Sequence, residues 1–321
     1  MDPLLIDKDL PFCARWFPVG FRIEIATNSR DVIEAAEEAW GHYEAEFACE
    51  TVVFRVVVQT AGDLAPKPAH RAQGHLYTVI SDANNFANLD LKALYGSIFV
   101  SQKTAADHTW LRWFFVESLA YTLLAQRYIV PVHAACAARN GSGVLLCGPS
   151  GSGKSTLSFG CARAGWTFIT DDCTWLLPDT TDRMAIGRPR QARFRIDAPE
   201  LFPELETYVA RARPNGKVSI EIPMSAFPSI KTDARCPIEH LVFLDRSRGV
   251  ARFEPISSEA AMNRILGEMP SYGAEVNAMH ERTVRRLAQV PAYHMKYNSL
   301  EEGICLLNRI AKWPPQVIRI S

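Results

Sequence analysis

The sequence predicts an α/β protein in which short apolar strands alternate with amphipathic helices. Three observations lead to it. An apolar run, Val144-Leu145-Leu146-Cys147, is followed by a glycine-rich stretch and then by a helical pattern from Leu157 to Ala164. An Asn140-Gly141 pair, a strong hairpin signal, separates that run from another, Ile129 to Ala138. Earlier, Phe21 to Ile25 alternates, Asp31 to Glu46 reads as a helix, and Thr51 to Gln59 is a valine-rich strand.

Each element follows from local chemistry. Further strands are expected near Leu76 to Ile80 and Ser97 to Ser101. Ala61 to Gln73 carries prolines, a glycine and no periodicity, and is expected to be a loop. Trp110 to Tyr128 reads as an amphipathic helix leading into the second half. The pattern then changes, which sets a boundary within 105–128 and divides the chain into 1–127 and 128–321. The N-terminal part carries no chemical motif, and docking or oligomerisation is its expected role. Beyond Ala164, Gly165 is a natural helix stop, and Trp166 to Thr170 is an apolar strand running into Asp171-Asp172. Arg193-Phe194-Arg195 alternates like a strand, and Ile238 to Leu244 reads as a core strand. Helices are expected at Ser257 to Leu266, Asn277 to Ala288 and Ser299 to Ala311, with a strand at Ala292 to Tyr297.

Composition limits the partners. The 321 residues hold 35 Lys+Arg against 35 Asp+Glu, so no global field draws the chain to nucleic acid or to an anionic membrane. No apolar stretch has the length of a membrane span; the best, Trp113 to Ala125, contains Glu117. The segment Met1 to Asp7 has acids where a signal peptide needs lysines. The 8 cysteines form no Cys-x-x-Cys pair, which fits a reducing compartment, and a cytoplasmic location is expected.

The chemistry concentrates in Gly148-Pro149-Ser150-Gly151-Ser152-Gly153-Lys154-Ser155-Thr156, a complete G-x-x-x-x-G-K-[ST] motif between strand and helix. Such a loop wraps backbone N–H groups around a phosphate at a helix N-terminus. Lys154 would reach the β- and γ-phosphates, and the Ser155 hydroxyl would sit on Mg²⁺. The expected cofactors are therefore ATP and Mg²⁺. Asp171 and Asp172 stand where such a site needs an acid, one to hold metal and one to accept a proton. Adjacent strand residues point to opposite faces, so the two cannot share one job. Counting outward from Asn140-Gly141 sets His133 opposite residues 148 to 150. Between Arg183 and Lys217 lie seven arginines and one lysine against four acids, which suggests a role toward phosphate or an acidic substrate. Arg188, Arg190 and Lys217 are the leading candidates. His240, His280 and His294 have no metal-ligand spacing and are expected to be structural or surface residues.

Histidine, hairpin, glycine loop, helix and double aspartate, in this order, resemble the C-terminal catalytic domain of the HPr kinase/phosphorylase family and its related kinases. His133 lies fifteen residues before Gly148, and Asp171 seventeen after Lys154, with Arg163-Ala164-Gly165-Trp166 leading into the strand before the aspartates. The resemblance is specific over about 129–178. It implies a phosphate-loop kinase core related to ATP-dependent phosphoenolpyruvate carboxykinase, with a smaller N-terminal mixed α/β domain. It also implies Asp171 as acid/base, Asp172 as metal or water ligand (the two roles being exchangeable), and His133 lining the γ-phosphate site. Thr156 stands where the bifunctional enzyme usually has Glu, and the loop tied to its dephosphorylation reaction has no counterpart. The expected activity is ATP-dependent phosphorylation of a serine (or threonine) hydroxyl of a protein or peptide. The alternatives are a small-molecule kinase on the same core and a nucleotide-binding switch without transfer. The family's habit of oligomerising is compatible with a homo-oligomer.

Overall fold

The computed structural model describes residues 8–178, 180 and 183–310. The N-terminal segment Met1 to Asp7 and the last residue of the expected C-terminal helix, Ala311, lie outside them. The chain forms two compact units, Met1–Tyr128 with Pro214–Gly216, and Ile129–Arg213 with Lys217–Ser321. Among the described residues no helix is long and apolar enough to cross a membrane.

The first unit is a seven-stranded sheet. Its strands are β1 (Phe12–Trp16), β2 (Ile23–Thr27), β3 (Val52–Gln59), β4 (Ala69–Gln73), β5 (Leu76–Ile80), β6 (Phe86–Asp90) and β7 (Tyr95–Ser101), in the order β1-β2-β3-β7-β6-β5-β4. β2, β3 and β7 run parallel. They carry the buried residues Ile23, Ile25, Val52, Phe54, Val56, Ile98 and Val100. Helix α1 (Arg30–Trp40) buries Val32, Ala35, Ala36 and Trp40. It ends at Gly41, well short of Glu46, because glycine carries a high helix cost and the chain turns there. β4 occupies part of the expected loop 61–73. All five of its residues are exposed at the sheet edge, so burial imposes no alternation on its sequence. The expected helix 110–128 is instead α2 (Gln102–Ala106), α3 (His108–Leu111), a π turn over Arg112–Val116, and α4 (Glu117–Leu124). Asp107 caps α3 by accepting from the N–H of Trp110.

The second unit is built on a larger sheet. Its first strands in chain order are β8 (Val130–Val132), β9 (Ala134–Arg139), β10 (Ser142–Cys147), β11 (Thr167–Thr170), β12 (Thr174–Leu176) and β13 (Met184–Ile186). A small separate sheet holds β14 (Gln191–Phe194), β15 (Arg211–Ala212) and β16 (Val218–Pro223) in the order β14-β16-β15. The main sheet is completed by β17 (Lys231–Thr232), β18 (Arg235–Arg246), β19 (Arg252–Ile256) and β20 (Ala292–Tyr297). Its helices are α5 (Lys154–Arg163), α6 (Ser258–Leu266), α7 (Ala274–Leu287) and α8 (Leu300–Ile310).

Both faces of this sheet are covered, which is why β9 and β10 read as continuous apolar runs. Ala134, Cys136, Leu145 and Cys147 pack with Ala261, Ile265, Val284 and Leu287 of α6 and α7. Ala135, Ala137, Val144 and Leu146 pack with Leu157 and Cys161 of α5 and Leu306, Leu307 and Ile310 of α8. His240 and His280 are buried, in keeping with structural roles. The protein is thus mixed α/β. Two of the expected strands change their bounds in ways that bear on the site. The run 129–138 breaks at His133, which separates β8 from β9, and β14 ends at Phe194, leaving Arg195 outside it. β8 breaks away because it pairs with β12 rather than β10.

Candidate functional site

The hairpin β9–β10 sets the geometry. Asn140 and Gly141 both have positive φ, 53° and 81°, as a two-residue type I′ turn requires. Pairing runs from Ser142↔Arg139 to Cys147↔Ala134, so His133 stands beside Gly148. β11 pairs antiparallel with the other side of β9, so β10 and β11 are parallel and both end at this edge. The pairing Thr174↔Val132 between β12 and β8 brings the bend after β11, with Asp172, against His133.

Residues 148–153 link β10 to α5, and Lys154 opens the helix. Gly153 has φ 98°, and a Cβ there would collide with the hydroxyl of Tyr297. That hydroxyl donates to the Ser152 carbonyl (2.7 Å), tying β20 to the loop. Burial pushes the Tyr297 phenol up to about 12, so it remains a donor at any ordinary pH. The Ser152 hydroxyl is buried without a hydrogen-bond partner among the described residues, an orphan that an oxyanion in the loop would satisfy.

Lys154 is buried, and its Nζ donates to the carbonyls of Gly148 (2.5 Å) and Pro149 (3.2 Å). Nζ also lies 3.1 Å from His133 Nε2. An ammonium can only donate, so Nε2 accepts and the ring proton resides on Nδ1. Nδ1 lies 3.3 Å from Asp172 Oδ1, which completes an Asp172–His133–Lys154 chain. Burial lowers the Lys154 pKa, opposed by the charges of Asp172 and Glu268.

The two aspartates separate. Thr170 ends β11, and its hydroxyl donates to the Cys173 carbonyl (3.0 Å), so the pair sits on a bend rather than in a strand. Asp171 is buried, with Oδ2 accepting from the Arg193 N–H (2.7 Å). Burial, with the nearby Asp172 charge, pushes its carboxyl up from 3.8 to about 6. Asp172 is half-exposed and faces His133. The Ser155 hydroxyl donates to the Asp171 carbonyl (3.3 Å), which places it at the same corner. Ser155 and Asp172 thus flank the same bend.

The remaining predicted residues divide. Pro149, Ser150 and Gly151 form the exposed crown of the loop, and Thr156 lies in the first turn of α5. Lys217 acts electrostatically on Lys154, and Arg188 on Cys173 beside the aspartates. Arg190 is exposed and gives its carbonyl to the Met224 N–H (2.8 Å), with nothing tying it to the loop.

Sequence reasoning missed Tyr297, Glu268 and Arg195. Tyr297 clamps the loop, Glu268 acts on Lys154 and Cys147, and Arg195 Nη1 lies 3.4 Å from where a Cβ on Gly151 would stand. Tyr297 and Glu268 are distant in the chain and have no motif spacing. Arg195 was visible as part of the alternating Arg193-Phe194-Arg195 run, without its place against Gly151. In the first unit Asp31, Glu34 and His108 bring ligand atoms within 4.8 Å. There Glu38 holds His108 Nδ1 (2.7 Å) and pairs with Arg112 (2.8 Å), which is an ion-pair network between helices.

No curated protein matches the chain. Among solved structures, the Hpr(Ser) kinase/phosphatase from Coxiella burnetii matches at 14% identity and a TM-score of 0.27, over 56% of this chain and 96% of that one. That likeness is too slight to assign fold or chemistry. The family described as SynChlorMet cassette protein ScmC matches residues 99–301, more than half of the chain. The chain belongs to the SynChlorMet cassette protein ScmC family.

Proposed function

We propose that this protein is an ATP-dependent phosphotransferase acting on a serine or threonine hydroxyl of a peptide or protein. The observation that carries the reading is the convergence of Lys154, His133 and Asp172 on a glycine loop at the ends of β10 and β11. The orphaned Ser152 hydroxyl and the buried ammonium inside the loop fit a polyphosphate. Bound there, Mg²⁺-ATP would supply the transferable phosphoryl group.

The chain's own residues have separate tasks. Lys154, which donates to two loop carbonyls, would give those bonds up for phosphate oxygens and brings its charge to the site. Ser155 and Asp172 would hold Mg²⁺, and His133 orients the Asp172 carboxylate through Nδ1. Asp171 takes the proton of the acceptor hydroxyl. A carboxyl pushed up to about 6 is a base matched to near-neutral pH, ionised yet able to retain a proton. Tyr297 keeps the loop in shape throughout.

The test is incubation of the purified protein with Mg²⁺-ATP and a panel of serine- and threonine-containing peptides, read by intact mass, with Lys154→Ala alongside. One added phosphoryl group on a peptide, absent with Lys154→Ala, is the expected result. Tight ATP binding with no transfer to any peptide would overturn the reading and leave a nucleotide-binding switch.

A further inference from the structure

The register of the small sheet gathers an unusual strip at one end of it. β14 ends where Phe194 pairs with Ile220, so Arg195 and Ile196 leave the sheet there. β16 starts at that same end with Val218, and β15 pairs there as Arg211↔Ser219 and Ala212↔Val218. The Arg213 N–H bonds the Lys217 carbonyl (2.9 Å), closing the β15–β16 hairpin. Three large apolar side chains project from this short region: Ile196 is 64% exposed, Val209 74% and Val218 51%. They are interleaved with cations, Arg195, Arg211 and Lys217, all exposed. The strip abuts the glycine loop, since Arg195 Nη1 lies against Gly151 and Lys217 acts on Lys154.

Folding alone gives no reason for this composition. Within the sheet, Ala192, Phe194, Ile220 and Ile222, the row that Val218 continues, pack on Phe159 and Phe202, whereas Arg211 and Lys217 stand on the opposite face. Exposed apolar groups alternating with cations match an extended polypeptide that alternates apolar and acidic side chains. β15 is the outer strand of its sheet and both its residues are exposed, which suits main-chain pairing with such a segment. The ion pair of Arg195 with Asp197 is long (3.8 Å) and exposed, so it offers little competition.

We propose that Arg195, Ile196, Val209, Arg211, Lys217 and Val218 form the docking strip for the acceptor polypeptide, which carries acidic and apolar residues beside its target hydroxyl. This rests on the phosphotransferase reading for the identity of the occupant. The strip leads a bound segment toward the loop from the Arg195 side, so the hydroxyl arrives next to the phosphate site rather than by random encounter.

The experiment uses fluorescein-labelled peptides with one serine flanked by alternating Asp and Leu, and a counterpart with Lys for Asp. Binding is read by anisotropy without nucleotide, and transfer is read with Mg²⁺-ATP, on the full chain and on Arg211→Glu and Val218→Ser. Both substitutions are at exposed positions. The acidic peptide should bind at least about tenfold more tightly than the basic one, and Arg211→Glu should remove most of that preference. Val218→Ser should weaken both peptides. Equal binding of the two peptides, or an acidic-peptide affinity indifferent to Arg211→Glu, overturns the strip. Selective, Arg211-dependent binding without any transfer would keep the strip and sink the phosphotransferase reading. Equal transfer to both peptides would do the reverse.

Discussion

Replacing Asp171 with asparagine should stabilise the protein at neutral pH while abolishing transfer. The carboxyl is buried, and its pKa rises from 3.8 to about 6 because of desolvation first and the Asp172 charge second. As pH rises from about 4 to about 6, the unfolded chain releases this proton before the folded one, so stability falls across that window. At about 1.4 kcal/mol per pH unit, the ionised carboxylate costs the folded state about 3 kcal/mol by pH 7. Asparagine has the same shape, and its amide oxygen can still accept from the Arg193 N–H. Whatever offset separates the two proteins when both are neutral, the variant should gain about 3 kcal/mol on wild type between about pH 4 and about pH 7. Urea unfolding followed by tryptophan fluorescence at a series of pH values measures this. A stability difference that stays flat with pH would refute the buried-carboxylate reasoning, whatever happens to activity. If Asp171 is also the base, wild-type transfer should rise as pH increases through about 6, with the asparagine variant inactive throughout.

Other substitutions probe the rest of the site. Lys154→Met should leave the fold intact and cut transfer on the order of 100-fold or more, measured by γ-phosphate release to peptide. Tyr297→Phe removes the bond to the Ser152 carbonyl, and should cost about 1 kcal/mol of stability and weaken nucleotide binding severalfold by calorimetry. Gly153→Ala should be worse, because the new methyl meets Tyr297 and the backbone is left-handed there; nucleotide affinity equal to wild type would contradict the clamp. His133→Ala should weaken Mg²⁺ affinity roughly 10- to 100-fold by freeing Asp172, seen as a raised Mg²⁺ requirement for transfer.

How much the sequence reveals depends on how locally each feature is determined. The glycine loop and its flanking strand and helix are contiguous, so their order and bounds are readable to within a few residues. The place of His133 beside Gly148 is readable too, because a two-residue turn fixes the pairing of everything that follows. Its release from the strand is not, since that depends on β12, more than thirty residues downstream, claiming β8. The bend at Asp171-Asp172 likewise arises from Thr170 bonding back to Cys173, a contact with no periodic signature. β4 escapes because an edge strand exposed on every residue carries no apolar code. Tyr297 reaches the loop from near the other end of the chain, and a tyrosine closing an apolar strand looks like ordinary core.

The Asn140-Gly141 hairpin works as a caliper for the site. Fourteen residues separate His133 from Gly148, and the count matters more than the identity of most of them. β9 and β10 could exchange one apolar side chain for another of similar size at modest cost. One residue added to or taken from either strand would swap the faces of the sheet and carry the imidazole away from Lys154. Family members should therefore drift freely in sequence along these strands while conserving their length, and a chain that changes that length should have lost the histidine as well.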